Sequence, residues 1–175
     1  ADMNQFNLHG AKLLLYLPLM QWNIPISKHL QHGELNLEDK ALVDRAIADL
    51  PNAYAPYSNF RVSAAIRLDN GSILSGCNQE NSSFPVGICA ERVVLSAVHA
   101  SHPGSKVLSM AIVCNDGREG PLEPTAPCGM CRQALSDQVS RQSTGMRLIL
   151  STINGPTWVL DEASDLLPFR FDFKQ

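Results

Sequence analysis

The chain lacks any apolar run of the eighteen or so residues that a membrane-spanning helix requires. Residues 13–20 are apolar, but the stretch is short and broken by Pro18. It is not followed by an Ala-x-Ala-like cleavage site, so a secretory leader is not expected there. Charge is also sparse, at 18% of residues, where about a quarter is usual. That scarcity points to surface hidden in an oligomer. The 14 Lys and Arg residues form no run and the net charge is −3, which argues against a groove that tracks phosphates and so against a nucleic-acid partner. Five cysteines cannot close into a full set of disulfides. Thiolate metal ligands need a reducing compartment, so a cytoplasmic protein is expected, in which the Asn81-Ser82-Ser83 sequon would be accidental.

What is present suits one folded domain: 175 residues with 45% hydrophobic content. Residues 1–35 show no clean periodicity and read as an N-terminal extension of unknown role, with one or two short strands or a surface arm; His29 and His32 read as solvated. From residue 36 onward the pattern is regular. Asn36 is placed to cap a helix whose stripe is Leu42, Val43, Ala46, Ile47 and Leu50, ended by Pro51. Residues 60–68 read as a strand, and Asp69-Asn70-Gly71 turns it into a second at residues 72–78. Helices follow at residues 89–102 and 128–140, and strands at 107–114, 146–152 and 157–160. The expectation is an α/β catalytic domain over residues 36–175, with one mixed five-stranded sheet and helices on both faces.

The informative feature is Cys89-Ala90-Glu91 together with Pro127-Cys128-Gly129-Met130-Cys131. A lone Cys-x-x-Cys is weak, but a third cysteine two residues before a glutamate sharpens it. Three thiolates can hold Zn²⁺ and leave a fourth tetrahedral position open for water. A carboxylate beside that water, itself not a ligand, suits proton transfer to a ring nitrogen. Ligand-x-Glu followed by Pro-Cys-x-x-Cys is the signature of zinc deaminases. Each cysteine is placed to open a helix, where free amides favour the thiolate, and Pro127 suits a first helical turn. Arg92 and Arg132 are placed to donate to the sulfurs and offset their excess negative charge. A structural zinc site would want a fourth protein ligand, and neither Cys77 nor Cys114 has ligand-type spacing. A redox dithiol would leave Cys89 and Glu91 unexplained.

Over residues 37–171 the chain resembles the cytidine deaminase family, in its short homotetrameric type with three cysteine ligands. The resemblance is carried by AYAPYSNFRVSAA, GCNQENSSFPVGICAER, the strand with Cys114, PCGMCRQ and LLPFRF. It implies a three-layer α-β-α fold, zinc held by Cys89, Cys128 and Cys131, and Glu91 as proton shuttle. It further implies ribose binding by Asn78 and Glu80, base stacking by Phe60, and hydrogen bonds from the backbones of Ala90 and Cys128 to the pyrimidine edge. Phe171 would reach a neighbouring subunit's site, with Phe169 competing for that place. The implied activity is hydrolytic deamination of cytidine and 2′-deoxycytidine in pyrimidine salvage. Independently, Asn78 and Glu80 flank Gln79, so in extended chain they project to one side, and Glu is a poor neighbour for a phosphate. That favours a free nucleoside. A deaminase of an aminonucleoside antibiotic or an N4-substituted cytidine, a zinc-stabilised binding module, and an editor of DNA or RNA are the competing readings. Ser63 and Phe84 depart from the family's frequent Gly and Tyr.

Overall fold

The computed structural model describes residues 23–117 and 123–173. The apolar stretch at residues 13–20 lies outside them. Among the described residues, no helix is long and apolar enough to cross a membrane.

Six strands form one sheet: β1 (Ser27–His29), β2 (Arg61–Leu68), β3 (Ile73–Cys77), β4 (Val107–Asn115), β5 (Arg147–Thr152) and β6 (Thr157–Leu160), in the order β1-β6-β5-β4-β2-β3. The β4–β5 pair is parallel and the others are antiparallel. The five strands expected from the pattern are all present, and the count is corrected by β1. Its three residues carry no alternation to read. They form a strand because Ser27, Lys28 and His29 pair with Val159, Trp158 and Thr157, with the Lys28 ammonium 5.0 Å from the Trp158 ring centre.

Among the described residues, three α-helices cover the sheet: α1 (Leu37–Asp49), α2 (Ala90–Ser101) and α3 (Gly129–Gln142). Alternation along each strand decides which helix meets which face. Ala65, Ala111, Val113 and Ile149 pack with Leu42, Val43, Ala46 and Leu50 of α1. Ala64, Ile66, Met110, Ile112, Leu148 and Leu150 point the other way, into a core shared with Val94 and Val98 of α2 and Leu135 of α3. The result is the three-layer α-β-α arrangement.

Local chemistry sets the boundaries. Asn36 Oδ1 accepts from the Asp39 amide at 2.9 Å while its own amide donates back to the Asp39 carboxylate at 2.8 Å. Buried Asp39 also pairs with Arg147 on β5 at 2.9 Å, tying α1 to the sheet. Gly71, at φ +83°, closes the β2–β3 turn. Gly76 lets α2 lie directly on β3, since a Cβ there would meet the Val94 amide nitrogen at 2.9 Å. This close approach fixes where the N-terminus of α2 arrives.

Candidate active site

Cys89 and Cys128 are the N-cap residues of α2 and α3, so both thiols stand where helical amides are unpaired. Pro127 therefore lies just outside α3 rather than in its first turn. Cys131 is one turn into α3 and fully buried. The sulfur of Cys128 is 3.9 Å from that of Cys89 and 3.5 Å from that of Cys131, and all three lie within 4.8 Å of one another. A tetrahedral zinc with bonds of about 2.3 Å separates its sulfurs by about 3.8 Å, so the donor set fits that ion. Among the described residues this is the one such cluster. Cys77 and Cys114 are buried elsewhere, with their thiols donating to the Asp49 carbonyl and toward Thr125 Oγ1.

The Cys89 and Cys131 thiols oppose each other's ionisation. A hydrogen bond with Cys131 holds the Cys89 thiol down at about 6, against burial and the nearby Glu91 charge, while Arg92 also favours the anion. The same hydrogen bond and burial push the Cys131 thiol up. One thiolate forms easily here and a second is opposed by the first. A bound dication would relieve that opposition.

Glu91 is in the first turn of α2 and only 5% exposed. Burial raises its carboxyl above the usual carboxylate range, partly offset by its own amide and the Cys131 thiol. A carboxyl with that environment beside a thiol cluster is poised to take and return a proton. Ala90, the first residue of α2, is fully buried, and an amide at that helical position has no intrahelical acceptor.

A cavity of about 420 Å³ is lined by residues including Asn78, Glu80, Tyr57, Ser58, Phe84 and Ile88, the residue before Cys89; the three thiols and Glu91 are not among its lining residues. Backbone bridges pair Gln79 with Tyr54 on one side and Ile88 on the other, so residues 78–80 are fixed beside the segment that leads into Cys89. The Asn78 amide is already employed: Oδ1 accepts from the Val62 amide at 2.8 Å and Nδ2 donates to the Phe60 carbonyl at 2.9 Å. Glu80 accepts from the Ser58 hydroxyl and from the Tyr57 and Ser58 amides. The Ser58 hydroxyl first, then the Tyr57 amide, hold its carboxyl below the usual range. Phe60 is half-buried beside this network and is not among the cavity's lining residues.

Arg132 is occupied differently from the sequence expectation. Its Nε donates to the Pro127 carbonyl at 2.8 Å, and a longer contact of 3.5 Å reaches the Leu166 carbonyl. It braces the peptide before Cys128. Arg92 acts on Cys89 through its charge and borders a small groove between α2 and α3. Phe171 is exposed, with its backbone held by Gln133 of α3. Sequence reasoning missed Tyr57, Ser58 and Gln133. The turn-like residues 54–58 signalled a loop, but nothing local said that the loop holds a carboxylate from residue 80.

Residues 37–143 match the family described as "Cytidine and deoxycytidylate deaminase zinc-binding region". A cytidine deaminase of Halalkalibacterium halodurans is 32% identical over 135 residues, 77% of this chain and 95% of that protein. One of Mycobacterium tuberculosis is 45% identical over 83 residues, 47% of this chain and 58% of that relative's length. The crystal structure of cytidine deaminase from Burkholderia pseudomallei superposes with a TM-score of 0.65 at 35% identity, covering 78% of this chain and all of the other. The match reaches from the first residue of α1 through both ligand-bearing helices, and the chain belongs to the cytidine and deoxycytidylate deaminase family.

Proposed function

We propose that this protein hydrolyses the C4 amino group of cytidine and 2′-deoxycytidine, giving uridine and 2′-deoxyuridine with release of ammonia. The observation that carries the reading is a buried Glu91 beside three converging thiols at two helix N-termini. Cys89, Cys128 and Cys131 would hold Zn²⁺, whose Lewis acidity makes water a nucleophile at neutral pH. Glu91 takes a proton from the attacking water and passes it to ring N3 as the oxygen adds at C4. It then takes the proton of the new C4 hydroxyl and delivers it to the departing amine, so that ammonia leaves as the C4 carbonyl forms. Its raised affinity for protons suits both transfers. The Ala90 amide and the Cys128 backbone hold the pyrimidine edge. Phe60 stacks on the base.

Asn78 and Glu80 orient the ribose with the acceptor capacity that their internal hydrogen bonds leave unused. A carboxylate at the sugar end disfavours a 5′-phosphate, so nucleosides are preferred over nucleotides. Arg92 tempers the thiolate charge, and Arg132 keeps the turn before Cys128 in place. The protein acts as a cytoplasmic homotetramer in pyrimidine salvage, with Phe171 completing a neighbouring subunit's site. The sparse surface charge and the exposed Phe84, Val86 and Met130 support self-association.

The test is ammonia release from cytidine, deoxycytidine, CMP, cytosine and an N4-acylcytidine, using protein of measured zinc content. Turnover of the first two with little from CMP or cytosine is expected. Turnover confined to the N4-acyl compound, or none from any nucleoside, overturns the reading.

A further inference from the structure

The C-terminal segment is anchored in two stages. Up to Leu166 it is held by packing: Ala163 is fully buried and Leu166 lies against the main core. Leu167 and Pro168 are still half-buried, and beyond them the side chains of Phe169, Phe171 and Phe173 are exposed by 89%, 74% and 76%. Apolar burial within the chain therefore does not explain why this tail lies where it does. A polar clamp does. Gln133 Nε2 donates to the Phe171 carbonyl at 2.8 Å, and the Phe171 amide donates to Gln133 Oε1 at 3.1 Å. One side-chain amide thus satisfies both backbone groups of one residue, the two-bond ring otherwise seen between paired strands.

The position of that clamp matters. Cys131, Arg132 and Gln133 are consecutive on α3. Arg132 reaches back to the carbonyl ahead of Cys128, and Gln133 reaches out to Phe171. The turn that carries two of the three thiols is therefore braced on one side by its own preceding loop and on the other by the tail. A Gln-to-backbone ring is sensitive to register, because only one residue of an extended tail can present its amide and carbonyl to the same side chain.

We propose that Gln133 is a positioning residue that sets the register of the C-terminal tail on the thiol-bearing turn, so that tail docking and metal occupancy stabilise each other. Coupling of this kind is reciprocal: an ion that orders the Cys128–Cys131 turn steadies Gln133, and a docked tail slows loss of the ion. The inference rests on the three thiols being the zinc site.

Amide hydrogen exchange over residues 168–173, with zinc content and the rate of zinc loss to a chelator measured on the same samples, tests it. Four samples are compared: zinc-loaded and zinc-stripped wild type, Gln133→Ala and Gln133→Glu. Loss of two neutral hydrogen bonds should speed exchange in the Gln133→Ala tail by at least about tenfold. Chelator-driven zinc loss should quicken in that variant while its melting temperature barely moves. Gln133→Glu keeps the acceptor for the Phe171 amide but loses the donor, and should fall between. Zinc-stripped wild type should show the faster tail without any substitution. Tail exchange in Gln133→Ala equal to wild type overturns the clamp. A stripped wild-type tail as protected as the loaded one overturns the coupling. Wild type that takes up no zinc overturns instead the reading on which the inference rests.

Discussion

The thiol cluster and residues 78–80, linked through the Gln79–Ile88 bridge next to Cys89, are held by opposite means. At the thiol end, two helix N-termini deliver side chains that have little to do within the protein: sulfurs crowded to 3.5 and 3.9 Å, and a carboxyl buried against its own preference for water. At the other end, Asn78 and Glu80 are committed to the chain itself, one tying down residues 60–62 and the other the loop at residues 57–58. The first region is frustrated until something binds, whereas the second is satisfied beforehand. A frustrated site stores its binding energy for the ion and the reaction. A satisfied one supplies shape, and offers a ligand only its leftover lone pairs.

The comparison predicts different failures. Cys128→Ala should abolish stoichiometric zinc and reduce deamination below detection, because two thiolates leave the ion undercoordinated. Full zinc content in that variant would contradict the ligand set, and metal analysis reads it directly. Asn78→Ala should do mixed damage. It frees the Val62 amide and the Phe60 carbonyl, which costs about 1–3 kcal/mol in a denaturant titration, and it raises KM on top of that. Unchanged stability with raised KM would show that Asn78 serves the ligand alone.

Ser58→Ala should have the smallest effect, a rise in KM of about threefold, as loss of two exposed hydrogen bonds, one donated to Glu80 and one accepted from the Phe60 amide, allows. The sign of its pH dependence follows from Glu80. The Ser58 hydroxyl holds that carboxyl low, so the wild-type site keeps its carboxylate well into the acid range. Removing the hydroxyl moves the titration upward, and the acid-side rise in KM should begin at higher pH. A profile superposable on wild type would remove Ser58 from the site.

The same contrast explains what was legible in the sequence. Caps, turns and ligand spacing are local, so α1 with its Asn36 cap, the Gly71 turn and the Cys-x-x-Cys face could be read directly. For residues 1–35 the sequence leaves open one or two short strands or an arm, and the place of β1 is not legible, because three residues without alternation become a strand only when β6 lies beside them. The contact of Arg132 with the Pro127 carbonyl is illegible for a similar reason: its neighbour in sequence is a ligand, whereas that acceptor is supplied by folding. The service of Glu80 to residues 57–58 and of Gln133 to Phe171 are likewise contacts between distant parts of the chain.

The central claim is that Glu91 moves the protons while the three thiols hold the ion. Turnover of cytidine by Glu91→Ala, measured on protein carrying one zinc per chain, tests it most directly. Zinc content should stay at the wild-type level, and kcat should fall by about 10²–10⁴-fold, the usual contribution of a general acid–base group. A zinc-replete variant that keeps a tenth or more of wild-type kcat would contradict the account.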